Sequence, residues 1–222
     1  MRHFLQPRVL LRASAAAAVT ALACYPQLLF WLNRPASVWL LEPMIFLCSI
    51  VLWGFVLAWH TQYTHRPAFV LRPPAGPFIA VTVLALAAGA VFHEWLDPTL
   101  RLHAPEEYPA DLNHWAAQVL CALFLTQLFE LFAPFAWLMR LFKNLWAAAV
   151  LTVAWDVFVL AIKNHSVSSP VPPPLFDALV AAKVVTGFLG VWFYLRGGIL
   201  LIGWWTILFE SRHLLELAGH AG

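Results

Sequence analysis

Val180-Ala-Ala-Lys-Val-Val-Thr-Gly-Phe-Leu-Gly-Val-Trp-Phe-Tyr-Leu-Arg-Gly-Gly-Ile-Leu-Leu-Ile-Gly-Trp-Trp-Thr-Ile-Leu-Phe-Glu210 joins two long apolar segments in one run. It is apolar on both sides of one short interruption, Arg196-Gly197-Gly198. Extended outward, each side reaches the ~20 apolar residues that a bilayer requires, at about 175–195 and about 198–217. Neither side alternates polar with apolar, so helices are expected rather than strands of a barrel.

The rest of the chain repeats this pattern. Further apolar runs lie at about 10–32, 38–59, 76–95, 114–133 and 145–163, making about seven candidate spans. Breakers separate them: Asn33-Arg34-Pro35, Arg72-Pro73-Pro74, Pro105 and the Ser168–Pro174 run. Hydrophobic residues make up 62% of the 222 and charged residues 11%, against about 45–50% and about 25% in a soluble domain. The expected fold class is therefore all-α, a polytopic integral membrane protein with the lipid bilayer as its main partner. A net charge of +2 leaves no footprint for nucleic acid. Cys24, Cys48 and Cys121 lie in apolar segments without metal-ligand spacing, and read as buried thiols. The basic, Ala-rich N-terminus reads as an uncleaved first helix, because its apolar run continues past Cys24 to about Leu32.

Lys and Arg placement predicts orientation. With a cytoplasmic N-terminus, Arg2, Arg8, Arg12, Arg66, Arg72, Arg140, Lys143 and Arg196 fall at the inner side. Arg34, Arg101, Lys163 and Arg212 fall at the outer side, where the acidic loop at about 96–113 is also expected. Trp39, Trp59, Trp95, Trp115, Trp146 and Trp192 sit near span ends, as interfacial anchors do. The expected localisation is the bacterial inner membrane.

Each of the last four spans carries an ionisable residue: Glu130, Asp156, Lys183 and Glu210. A charge at the centre of a membrane helix costs about 2.5–3.5 kcal/mol on insertion scales, so such residues face a protein interior and commonly serve a function. Glu130, just before Pro134, reads either as a general base or metal ligand at a helix break, or as a carboxylate snorkelling to the interface. Beyond Pro134 the basic stretch to Lys143 either continues as a kinked helix or lies along the interface. Asp156 has no interface within reach and needs a partner; Lys183 is the candidate, as a structural ion pair. Glu210 and His213 share a helix face at i and i+3, as a hydrogen-bonded pair or as metal ligands. His93-Glu94-Trp-Leu-Asp97 is not the His-Glu-x-x-His of zinc proteases, because position 97 is Asp. His103, Glu106, Glu107 and His114 read as a solvated loop.

Residues from about 115 to 217 resemble the CPBP family of membrane proteins, which includes CAAX prenyl endopeptidases and bacteriocin-processing proteins. The resemblance rests on Gly187-Phe-Leu-Gly190-Val-Trp-Phe-Tyr194-Leu-Arg196-Gly-Gly198-Ile-Leu-Leu, which is similar to the family's junction between its last two core helices. Order and spacing add to it: Glu130 matches the second Glu of the family's Glu-Glu-x-x-x-Arg, while Asp156 and Glu210 fall near its two catalytic His positions. Phe129 stands for the first Glu, Pro134 for the Arg, and Thr152 for the Phe that precedes the first His.

The resemblance implies a three-helix region over 1–113, with its acidic external loop, and a CPBP-like four-helix core over 114–222. If the chain is an enzyme, it implies an intramembrane endopeptidase with Glu130, Asp156 and Glu210 as catalytic candidates. The same three residues and His213 are then the candidate ligands of a divalent metal. Two carboxylates in place of histidines remove the nitrogen donors that a zinc-type site prefers. The leading expectation is therefore a non-catalytic or altered-site member that binds a membrane-embedded or lipidated protein partner. Transport of ions or protons through Asp156 and Lys183 is a further alternative.

Overall fold

The computed structural model describes residues 5–32, 35–166 and 170–220. Arg2, Arg34, the Ser168-Ser169 part of the loop before Pro170 and the Glu106 side chain lie outside the described residues. The chain is all-α. In order come α1 (Pro7–Trp31), α2 (Pro35–Phe55), α3 (Thr61–Thr64), α4 (Ala75–Val91), α5 (Asp97–His103), α6 (Leu112–Cys121), α7 (Ala133–Phe142), α8 (Leu145–Ser166), α9 (Pro173–Glu210) and α10 (Arg212–His220). Among the described residues there is no strand, only one isolated backbone bridge between Phe69 and Gly198.

Several of these helices continue through π turns into longer rods. Among the described residues, six helical rods, three of them running through π turns, are long and apolar enough to cross a membrane: Pro7–Trp31, Ser37–Thr64, Ala75–His103, Leu112–Phe142, Leu145–His165 and Pro173–Ala218. The π turns lie at Val56–His60, Phe92–Leu96, Ala122–Thr126 and Leu128–Phe132. The helical run passes through Pro134 to Phe142, which decides between the two alternatives left open by the sequence. Proline lacks the N–H that an α-helix would direct to residue 130, and the π turns just before it shift the hydrogen-bond pattern there. The rod stops at Lys143, left-handed at φ 50°. The Asn144 side chain then accepts hydrogen bonds from the Trp146 and Ala147 amides at 2.9 and 3.1 Å, starting α8.

The contacts divide the chain into two compact units, each discontinuous in sequence: residues 1–68 with 116–151, and 69–115 with 152–222. In the first, α1 presents Ala13, Ala17, Ala21, Cys24 and Leu28 as a buried stripe of mostly small residues, the kind of surface that lets membrane helices approach closely. Polar groups stitch it to α2: Trp53 Nε1 donates to Thr20 Oγ1 at 2.9 Å. Cys24 and Cys121 are free and buried, whereas Cys48, also expected to be buried, is exposed. Arg140 stacks over the Trp59 ring at 4.2 Å, and the buried His60 ring faces Phe135.

The second unit turns on Gly198. Its φ of 66° and ψ of −161° interrupt the helical geometry of α9, in a region that is essentially glycine-only. Phe193 and Trp205 are twelve residues apart, about 18 Å along a straight helix, yet their ring centroids are 5.5 Å apart. The chain therefore folds back here, and the 46-residue rod is two antiparallel helices. Gly197 is needed too, because a Cβ there would lie 2.7 Å from Leu201 Cβ.

The fold-back sets the neighbours of both halves. Residues after 198 run parallel to α4: Phe78 stacks on Trp204 at 5.6 Å, Trp204 Nε1 donates to Thr82 Oγ1 at 3.0 Å, and Phe92 meets Phe209 edge-on at 5.0 Å. The half before 198 packs on α8, where a Cβ on Gly187 would lie 3.1 Å from Val153 Cγ2. Replacing Gly198 by Ala is expected to cost about 1–3 kcal/mol through backbone strain. Thermal unfolding of the purified variant, followed by tryptophan fluorescence, checks this; an unchanged midpoint would show that the corner tolerates a side chain.

Candidate functional site

The fold-back and the parallel pairing with α4 gather ionisable side chains at two levels of the second unit. At the first level, Lys183 Nζ lies 2.9 Å from Asp156 Oδ1, with the two side chains 31% and 12% exposed. A pair this far inside a membrane span is screened less than one on a water-exposed surface.

The second level is larger. The π turn Phe92–Leu96 leads into α5 and carries His93. His93, Asp97 and Arg101 follow at steps of four along this rod, and so lie along one face. Opposite them, Ser211 interrupts the last rod and α10 begins with Arg212 and His213, followed by Glu216. Asp97 is 1% exposed, and a carboxylate so buried needs partners for both oxygens. Tyr108 Oη donates to Oδ1 at 2.9 Å and Arg212 Nε donates to Oδ2 at 3.1 Å. The Arg212 guanidinium stacks on the Phe209 ring at 4.1 Å and also donates to the Phe209 carbonyl.

Glu210 and His213 lie on this second level. Glu210 Oε2 is 3.4 Å from Arg212 Nη1 and 3.4 Å from His213 Nε2, while its backbone carbonyl accepts from Trp115 Nε1 at 2.9 Å. Glu216 pairs with Arg101 and lies 3.4 Å from His93 Nδ1 and 3.8 Å from His213 Nδ1. Tyr108 closes the cluster, edge-on to His213 at 5.3 Å and under the Arg101 guanidinium at 4.7 Å. Burial and the adjacent Asp97 raise the Tyr108 phenol above its ordinary range, so it holds its proton and stays a donor.

Of the residues singled out in the sequence, then, Asp156 is joined with Lys183 and Glu210 with His213. Glu130 belongs to the first unit and sits within the π turn Leu128–Phe132, half-buried. Sequence reasoning missed the larger cluster. Asp97, Arg101, Arg212 and Glu216 lie near span ends, where charges usually snorkel to water. The signal was the four-residue spacing of His93, Asp97 and Arg101, together with the spacing of His213 and Glu216. In the segment between α5 and α6, Glu107 Oε2 lies 2.9 Å from Lys163 Nζ.

A comparison of the chain with protein-family models, curated proteins and solved structures finds no match.

The Asp97–Arg212 pair is expected to act as a unit. Asp97→Ala alone breaks a buried ion pair and should cost about 3–5 kcal/mol, and Arg212→Met should cost a similar amount by removing the cation that faces the carboxylate. The combined variant should recover part of that loss, and Tyr108→Phe should cost about 1–3 kcal/mol. A double-mutant cycle in thermal or denaturant unfolding measures the coupling; additive losses would show that the two charges act separately.

Proposed function

We propose that this chain is a non-catalytic or altered-site integral membrane protein that binds a membrane-embedded or lipidated protein partner. The bacterial inner membrane, with the N-terminus on the cytoplasmic side, is the location that the Lys/Arg distribution favours. The observation that carries the reading is the Asp156–Lys183 ion pair at 2.9 Å. A carboxylate committed to an ammonium in a low-dielectric setting is a poor base and has little reason to exchange that partner for a water or a metal. Glu210 is engaged in the same way by Arg212 and His213. Two of the three candidate catalytic carboxylates thus have local electrostatic work. The resemblance of residues about 115–217 to CPBP proteins supports a partner of membrane-embedded or lipidated character, by analogy of sequence pattern rather than of site chemistry.

Glu130 favours a second reading, an intramembrane endopeptidase with a rearranged site. Its π turn is a local geometry often found at functional positions, where a shifted backbone redirects a side chain. The two readings separate on one experiment. The full-length protein in nanodiscs is incubated with prenylated and unprenylated peptides, with and without added divalent metal, beside Glu130→Gln. Under the binding reading, no Glu130-dependent cleavage occurs, and the prenylated peptide is retained in preference to the unprenylated one beyond its retention by empty nanodiscs. Cleavage abolished by Glu130→Gln in a protein that still folds establishes the peptidase instead.

The ion pair has its own test. Replacing Asp156 and Lys183 together by Leu should leave a folded protein, whereas Asp156→Leu or Lys183→Leu alone should lower yield and unfolding temperature. A folded double variant that no longer retains the prenylated peptide would place the pair in the binding machinery.

A further inference from the structure

We infer that the end of the first unit where α7 stops binds the phosphate headgroup of an acidic phospholipid. Arg140 and Lys143 are its first contacts, with Arg8, Arg12 and Arg66 around them. The inference goes beyond the partner reading and does not depend on it.

The register of the rods brings these cations to one end. Trp53 of α2 donates to Thr20 of α1, and α1 and α2 follow each other in the chain as an antiparallel pair. Thr64, eleven residues beyond Trp53, therefore comes close to the level of Val9, eleven residues before Thr20. The His60 ring faces Phe135, and Arg140 covers Trp59, so α7 ends at this level too. Arg8 and Arg12 stand at the start of α1, Arg66 follows α3, and Lys143 ends α7. The unit contains two carboxylates, Glu42 and Glu130. Glu42 lies early in α2, towards the opposite end. Glu130 is ten residues before Arg140, about 15 Å along a helix.

The cations at this end carry a cost that an anion relieves. Arg8 and Arg12 are exposed and stand at i and i+4, near the positive end of the α1 dipole, with no acidic residue in the first turn. The spacing and the position are both unfavourable for cations.

Arg140 is already posed for a phosphate. Its guanidinium lies over the buried Trp59 ring at 4.2 Å. Stacking takes the flat face and leaves the N–H fork at the edge, the part that grips a phosphate through two parallel hydrogen bonds. Lys143 is exposed three residues on, where its left-handed backbone ends the rod. Trp137 and Trp146, 44% and 74% exposed, bracket the two cations along the chain, as anchors at the headgroup level do. Leu141 and Phe142 between them are exposed apolar surface. A free anion has no use for these four side chains, whereas a phospholipid lays its acyl chains on them. A zwitterionic lipid brings its own ammonium to its phosphate, so the surplus of cations favours an acidic one.

The test is competition between lipids for the full-length protein. It is reconstituted in nanodiscs of equal parts phosphatidylglycerol and phosphatidylcholine. The lipids that stay bound after extraction into a mild detergent are counted by native mass spectrometry. Phosphatidylglycerol should be retained in preference, and Arg140→Gln and Lys143→Gln should each lower the preference about fivefold. Arg140→Lys should lower it less, since it keeps the charge and loses the fork. Lys163→Gln, at an exposed lysine of the second unit, should leave it unchanged. Should Arg140→Gln fail to fold for want of its packing on Trp59, Lys143→Gln and Arg8→Gln carry the test, because both side chains are exposed. The site is overturned if the two lipids are retained alike or if the folded variants keep the parent's preference. Displacement of the lipid by excess inorganic phosphate would overturn it too, by showing a site for a free anion.

Discussion

Gly198 reverses the chain within a single residue's backbone geometry, and the second unit is organised by that reversal. Because the helix after it runs parallel to α4, Phe78 and Thr82 meet Trp204, and Phe92, further along, meets Phe209. The same order carries Asp97 to Arg212 and Arg101 to Glu216. Any other residue at 198 would have to occupy a region of backbone space reserved for glycine, and any side chain at 197 would press on Leu201. Two adjacent glycines with no chemistry of their own thus determine which charges meet.

The surrounding medium explains why the charges are clustered rather than scattered. In hydrocarbon a lone carboxylate has no water to solvate it, and the cost falls only when donors converge on it. Asp97 is satisfied by a phenol and a guanidinium, and Arg212 in turn serves Asp97, Glu210 and a backbone carbonyl while lying on an aromatic face. One cation shared among several acceptors limits the number of charges that must be buried. The same economy appears in the first unit, where Trp53 donates to Thr20 and Thr20 donates to the Ala16 carbonyl. Polar contacts of this kind are individually modest, but lipid offers no competing solvent drive between helices, so they help fix which faces meet.

Much of the fold was legible in the sequence because hydrophobic run length is a strong signal. The apolar stretches, the break at Gly197-Gly198 and the pairing of Asp156 with Lys183 are all consequences of placing charges and glycines in an apolar background. The π turns were not legible. Nothing in Leu128-Phe-Glu-Leu-Phe132 or Phe92-His-Glu-Trp-Leu96 announces one extra residue in the turn, since the choice depends on how the flanking helices pack. The cluster around Asp97 was missed for a related reason. Charges near span ends have an inexpensive alternative in the interface, and only the register of two distant rods shows that they turn inward.

Position 97 illustrates how far a motif and a site can diverge. His93-Glu-x-x-Asp97 fails as a zinc-protease motif because a second imidazole is absent from the next helical turn. A carboxylate reaches this rod from α10 instead: Glu216 lies 3.4 Å from His93 Nδ1, a juxtaposition made by tertiary structure rather than by spacing along one helix. The backbone at 92–96 is a π turn, yet four residues still make close to one full turn there, so His93 and Asp97 keep a common face. What the pairing does require is that α4 and the final rod keep their parallel register, which returns the argument to the corner at Gly198.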